Sequence, residues 1–270
     1  MDFSEISRRG LVMLGCGKMG SAMLAGWLDR GLDPASVHVI DPYPSDWLRA
    51  QGVVINGVMP DHPAVLMIAV KPQMMQEALP QVARFGGGGT LILSVAAGTP
   101  IAAYEAAFGA ATRVIRAMPN TPAAVGKGIS AIIGNATTTA ADLDMAEGLL
   151  SAIGQVVRLS DEDQIDAVTG LSGSGPAYIF YMIDALAAAG VAQGLPPEMA
   201  MQLAKATVAG AGALAEQVTE TPEQLRINVT SPNGTTQAGL GVLMDDAHGL
   251  MPLITATVAA ATDRSRELKR

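Results

Sequence analysis

A glycine spacing near the start of the chain restricts its fold more than any other feature: Gly15, Gly17 and Gly20 follow directly on the apolar run Leu11–Leu14. Glycines alone are weak evidence, but here a strand-like run precedes them and residues 19–29 after them carry helical spacing. A strand that turns sharply into a helix needs one residue without a Cβ for the turn. It needs a second where a ligand approaches the backbone, and a third where helix and strand pack closely. Gly15, Gly17 and Gly20 stand in that order. The unpaired N–H groups and the dipole of the ensuing helix favour anions. The spacing therefore predicts a site for the pyrophosphate of a dinucleotide, built from Gly15, Cys16, Gly17, Lys18, Met19 and Gly20. Lys18 does not turn this into a triphosphate-binding loop, because the G-x-x-x-x-G-K-[ST] spacing is absent. Cys16, inside the turn, reads as a small packing residue rather than a redox thiol.

Short apolar runs alternate with helical segments through the first half: residues 11–14, 37–40, 65–70, 91–95 and 114–117 read as strands. Such alternation predicts a Rossmann-like α/β domain around a mainly parallel sheet. Ligands of open α/β sheets bind outside the carboxyl ends of the strands. That rule directs attention to Asp41 after the second run, and to the residues that close the later runs. A carboxylate at Asp41 can accept hydrogen bonds from ribose hydroxyls and repels a 2′-phosphate, which leans the choice toward NADH over NADPH. Alternatively, Asp41 caps the turn at Pro42.

Alternation fades after about residue 159, and the remainder of the chain is helical and rich in Ala, Met and Leu. The expected division is a dinucleotide-binding domain over residues 1–160 and an all-α substrate-binding and dimerisation domain over residues 161–270. Small side chains over residues 185–192 and 204–215 allow close helix approach, either within one chain or against a second copy. A homodimer explains so much apolar helix more simply than a monomeric core does. The greasiest stretch, residues 176–192, is interrupted by Asp184 and falls short of the ~20 residues of a spanning helix, so it reads as buried.

A net charge of -8 argues against nucleic-acid or anionic-membrane partners, which need a basic face. The single cysteine excludes an intrachain disulfide and fits a reducing compartment, with the cytoplasm as the default. Asp2 and Glu5 precede Arg8 and Arg9, unlike the start of a secretory signal. No metal site is expected.

Successive strand ends carry Ala69-Val70-Lys71-Pro72, then Ser94 with Ala96, Ala97 and Gly98, then Arg116-Ala117-Met118-Pro119-Asn120-Thr121-Pro122. The second half carries Asp166-Ala167-Val168-Thr169-Gly170-Leu171-Ser172-Gly173-Ser174-Gly175-Pro176-Ala177-Tyr178 and Ser231-Pro232-Asn233-Gly234-Thr235-Thr236. In this order, and over nearly the whole chain, they resemble the pyrroline-5-carboxylate reductase family. The two later motifs are the specific part, since the first half alone fits many nucleotide-binding reductases.

The resemblance implies reduction of Δ1-pyrroline-5-carboxylate to L-proline, the final step of proline biosynthesis, with hydride from NADPH or NADH. It makes Thr236 the residue that hydrogen-bonds the ring nitrogen. Ser231, Asn233, Gly234 and Thr235 then hold the substrate carboxylate, mainly through backbone N–H groups. Ala69, Lys71, Pro72, Ala96, Ala97 and Asn120 are placed around the nicotinamide. Two positions depart from the family: Asn233 stands where glycine is usual, and Asp41 where a small hydroxyl or basic residue is common. Asparagine tolerates positive φ, so the turn is expected to survive. Lys71 reads equally well as a ligand-facing charge or a solvated turn lysine.

Three rival readings are weaker. Hydroxyacid dehydrogenases of related fold carry a catalytic lysine where residues 171–190 have none. His38, His62 and His248 are isolated, which disfavours histidine-dependent chemistry. A non-catalytic NAD(P)-binding redox sensor has no use for the turn at residues 231–236. A reductase of a related cyclic imine stays open at this point.

Overall fold

The computed structural model describes residues 2–269. An eight-stranded sheet runs in the order β3-β2-β1-β4-β5-β6-β7-β8. Its strands are β1 (Leu11–Leu14), β2 (Val37–Ile40), β3 (Val54–Ile55), β4 (Val65–Ile68), β5 (Leu91–Ser94), β6 (Val114–Met118), β7 (Gly128–Gly134) and β8 (Gly154–Arg158). Pairing is parallel from β3 through β6; β7 runs antiparallel to β6, and β8 runs parallel to β7. The five strands expected from the sequence are all present. β3, β7 and β8 are additional to them.

The helices are α1 (Ser4–Arg9), α2 (Lys18–Leu28), α3 (Asp46–Arg49), α4 (Met75–Ala78), α5 (Ile101–Phe108), α6 (Ala140–Leu150), α7 (Gln164–Val168), α8 (Gly175–Ala192), α9 (Pro197–Gln217), α10 (Pro222–Asn228), α11 (Thr235–Leu243) and α12 (Leu250–Leu268).

Parallel strands covered on both faces should read as continuous apolar runs, and every residue of β1, β4 and β5 is buried. Side chains alternate between faces with period two. Leu11, Met13, Val37, Val39, Val65, Met67, Leu91 and Leu93 accordingly join one core cluster, while Val12, Leu14, Leu66, Ile68 and Ile92 join the other. The helix opened by the glycine turn belongs to the first cluster through Met23, Leu24 and Trp27. Trp27 is fully buried and donates its indole N–H to the Leu149 carbonyl at 2.8 Å, so this donor is satisfied within the core.

The chain forms two compact units: Met1–Gly173 with Thr262–Arg270, and Ser174–Ala261. This division falls later than the fading of alternation, because α7 and the π-helix Thr169–Gly173 group with the sheet, as does the end of α12. There the buried Asp166 accepts from Ser265 Oγ at 2.8 Å and pairs with Lys269 Nζ at 2.6 Å.

In the second unit α8 and α9 pack closely: a Cβ on Gly190 would lie 3.3 Å from Ala200 Cβ. The expectation that residues 176–192 form a short buried helix is not met. The stretch Gln164–Ala192 is long and apolar enough by length and composition to cross a membrane, and little of its most apolar part is buried. Phe180 is 60% and Tyr181 75% exposed. One copy of the second unit has too few apolar neighbours to cover these side chains, whose buried hydrophobic members are only Ala187, Ala200 and Ala204.

Candidate functional site

Order reverses at β1, which pairs with β2 on one side and β4 on the other, and the glycine turn leaves the sheet there. Such a switch point opens a crevice above the strand ends. Each glycine shows a separate constraint. Gly15 donates its N–H to the Ile40 carbonyl at 2.8 Å and has φ +85°; a Cβ there would lie 2.7 Å from Val70 Cγ1. At Gly20 a Cβ would lie 3.0 Å from the Gly15 carbonyl oxygen, so α2 packs against the turn as closely as backbone allows. At Gly17 a Cβ would meet nothing within 4 Å.

Gly17 is also the N-cap of α2, and no side chain caps that end. Space before uncapped helix N–H groups, kept clear by a glycine that the protein's own packing does not require, fits a pyrophosphate. A dinucleotide would be held there by the backbone of residues 15–20. Lys18 is exposed and Met19 is half-buried against the core.

Cys16 is buried, and its thiol is pushed up to about 12 by burial first and by the Asp41 carboxylate second. The neutral thiol is therefore favoured in the fold. Folded protein is expected to leave Cys16 unalkylated by iodoacetamide at about pH 8 and to yield it on unfolding, since only thiolate reacts. The unfolded thiol ionises near its ordinary 9.0, so this contribution to stability is present below that pH and fades as pH rises toward 12. Rapid alkylation of the native protein would contradict it.

Of the two readings of Asp41, the structure shows the turn cap, together with a bond to the glycine turn. Its Oδ1 accepts from Tyr43 N at 2.8 Å, which caps the turn, and its Oδ2 accepts from Cys16 N at 2.8 Å, which ties it to the glycine turn. A carboxylate has about four lone-pair sites, so each oxygen retains capacity for a ribose hydroxyl. Asn56, not among the residues expected at the site, holds Asp41 in place. Its side chain accepts from Asp41 N at 3.0 Å and donates to the Asp41 carbonyl at 2.7 Å, while its own backbone takes φ +51°. The signal in the sequence is the Asn56-Gly57 pair closing a short apolar run, a turn motif with αL preference.

Ala69, at the end of β4, donates to the Leu14 carbonyl and borders Gly15. Lys71 and Pro72 are exposed where a 3-10 turn begins. After β5, Ala96 is buried with its N–H on Ser94 Oγ at 3.2 Å, and Ala97 is exposed. Asn120 has its amide engaged within the chain at both ends, accepting from Ile129 N at 2.9 Å and donating to the Ser172 carbonyl at 3.1 Å. It joins the end of β6 to β7 and to the π-helix.

The turn at residues 231–236 lies in the second unit, between α10 and α11. Asn233 adopts φ +56°, the left-handed conformation that makes asparagine an acceptable substitute for glycine. Its N–H donates to Gln237 Oε1 at 2.5 Å, and Gly234 N donates to the Ser231 carbonyl at 3.1 Å. Gly234 is the N-cap of α11, where a Cβ would collide with Ser231 Oγ. No side chain caps this end, and Ser231, Thr235 and Thr236 are exposed. Among the described residues, the Thr235 and Thr236 hydroxyls have no hydrogen-bond partner. Beside the turn, Arg226, Thr230, Gln237, Leu240 and Met244 line a groove of about 440 Å³.

A parallel sheet with a glycine turn at its switch point, joined to an apolar helical unit, defines a class: dinucleotide-dependent oxidoreductases with a helical second domain. Comparison with known proteins narrows the class. Residues 11–98 match the family model described as NADP oxidoreductase, coenzyme F420-dependent, and residues 162–268 match that described as pyrroline-5-carboxylate reductase dimerisation. The chain is 37% identical over 264 residues to a pyrroline-5-carboxylate reductase of Pseudomonas aeruginosa, covering 96% of each, and 40% identical over 265 residues to one of Synechocystis, covering 96% and 97%. Among solved structures, a pyrroline-5-carboxylate reductase of Coxiella burnetii aligns with TM-score 0.91 and 32% identity over 97% of this chain and 99% of that one. The Plasmodium falciparum pyrroline carboxylate reductase, with NADP bound, gives TM-score 0.82 and 25% identity over 98% and 99%. This chain belongs to the pyrroline-5-carboxylate reductase family.

Proposed function

We propose that this chain reduces Δ1-pyrroline-5-carboxylate to L-proline with NAD(P)H, the last step of proline biosynthesis. Family membership across nearly the whole chain carries the reading, since the glycine turn alone is shared by many reductases. When bound, the dinucleotide would supply the hydride that reduces the imine carbon. The C=N π electrons pass to nitrogen, which in the protonated imine already bears its proton, so the product is the ring amine. That substrate is electrophilic without a strong general acid, and orientation supplies most of the effect.

In this reading the backbone N–H groups of Ser231 and Thr235, on either side of the left-handed turn at Asn233, receive the substrate carboxylate, while the Asn233 and Gly234 N–H groups hold the turn itself. The Thr236 hydroxyl accepts from the ring nitrogen. Ala69, Lys71, Pro72, Ala96 and Ala97 border the nicotinamide, and Asn120 holds their neighbouring strand end. Residues 1–160 carry the dinucleotide, while residues 161–270 carry substrate and the dimer contact. The exposed faces of α8 and α9 are covered by a second copy, and the protein works in the cytoplasm. The test is NADH and NADPH oxidation in the presence of pyrroline-5-carboxylate; no turnover with either would overturn the assignment.

The Asp41 carboxylate leans the choice toward NADH, because a 2′-phosphate beside it suffers like-charge repulsion. Asp41→Ser is expected to raise the NADPH-to-NADH ratio of kcat/KM by about tenfold, a change of ~1.4 kcal/mol. Unchanged Michaelis constants for both cofactors would remove Asp41 from that role.

A further inference from the structure

We infer that Arg116 and Glu162 are positioning residues for hydride transfer, a buried arginine paired with a half-buried glutamate that together fix the turn carrying Ala96 and Ala97. The inference rests on reading those two alanines as bordering the nicotinamide. Arg116 lies in β6 directly opposite Ser94 of β5 and is 2% exposed. Its Nη1 bonds Glu162 Oε1 at 2.7 Å, and the same oxygen accepts from Ile101 N at 2.9 Å. Ile101 opens α5, so Glu162 pins the far end of the turn that starts at Ser94.

The near end is pinned by α5 itself. The hydroxyls of Ser94 and Tyr104, both fully buried, are 2.5 Å apart, and Ser94 Oγ also accepts from Ala96 N. Residues 95–100 are therefore clamped at both ends, and Arg116 ties the clamp to the adjacent strand. The short segment supplying Glu162 is anchored in turn, one helical turn on, by Asp166 with Ser265 and Lys269. An ion pair whose carboxylate is part-exposed contributes little to stability by charge alone. Here the carboxylate instead takes a backbone N–H at a helix start, which sets where the turn sits.

A misplacement of about 1 Å near the reacting atoms costs on the order of a hundredfold in rate. Glu162→Ala is expected to lower kcat at least tenfold and to raise the deuterium isotope effect on kcat with 4-deuterated cofactor, as hydride transfer becomes rate-limiting. Affinity for ADP-ribose, which lacks the nicotinamide, should stay within about twofold. Glu162→Gln retains an acceptor for both donors and should recover most of the rate. Tyr104→Phe removes only a hydroxyl from the other end of the clamp and should show the same pattern more weakly; it decides the matter if Glu162→Ala does not fold.

A lowered melting temperature with kcat and the isotope effect unchanged would overturn the inference, as would loss of ADP-ribose binding in parallel with kcat. Ala97→Val separates the two readings. If it leaves kcat and the cofactor KM unchanged, the alanines do not border the nicotinamide. If it impairs them while Glu162→Ala and Tyr104→Phe do not, the turn is right and the clamp is wrong.

Discussion

Gly17→Ala is expected to weaken dinucleotide binding by about ten- to a hundredfold, the loss of roughly one hydrogen bond to a charged group, while leaving Tm within a degree or two. The separation follows from the space around this residue: a Cβ there touches no protein atom within 4 Å, and φ of -72° suits any side chain. The methyl would stand instead where the phosphates approach the opening N–H groups of α2. Gly15→Ala is the matched opposite. It places a Cβ 2.7 Å from Val70 in a left-handed conformation, at a cost of about 1–2 kcal/mol in backbone strain and about 1–3 kcal/mol in overpacking. Calorimetry of dinucleotide binding alongside thermal melts distinguishes the two. Equal loss of stability in both variants would mean that Gly17 serves packing rather than ligand.

Thr236→Ala is expected to reduce kcat/KM for pyrroline-5-carboxylate by about ten- to a hundredfold, the cost of leaving a buried polar group without its partner. Dinucleotide affinity should be unaltered. The hydroxyl has no other work in the fold: it is exposed, does not cap α11 and makes no hydrogen bond among the described residues. Stability should accordingly change by less than about 0.5 kcal/mol. Thr235→Ala supplies a control on the same helix end, with a smaller effect because the backbone at that position holds the carboxylate. Equal turnover by Thr236→Ala and the parent protein would remove the residue from the chemistry.

The parts of this fold that show in the sequence are those where burial is uniform. β1, β4 and β5 lie under helices on both faces, so each is an unbroken apolar run. β7 contains Gly128, Ser130 and Gly134, and β8 is largely exposed, so neither presents the alternation or the run that marks a strand. The two residues of β3 are too few for any pattern. The glycine turn is legible because Gly15 and Gly20 meet packing constraints that only glycine satisfies well, while Gly17 keeps the space before α2 clear. Asn56 shows in the sequence only as a turn residue before Gly57; its hold on Asp41 does not show, because its partner is backbone and leaves no matching residue elsewhere. The exposure of α8 is hidden for a related reason. An apolar helix looks the same in sequence whether its own chain covers it or another does.

The return of the end of α12 to the first unit makes the helical unit an insertion in chain topology rather than an appendage. Cleavage between Gly173 and Ser174 would sever one connection only. The C-terminal fragment would remain attached through the Ser265 and Lys269 bonds to Asp166. Nicked protein should therefore migrate as one species until denatured.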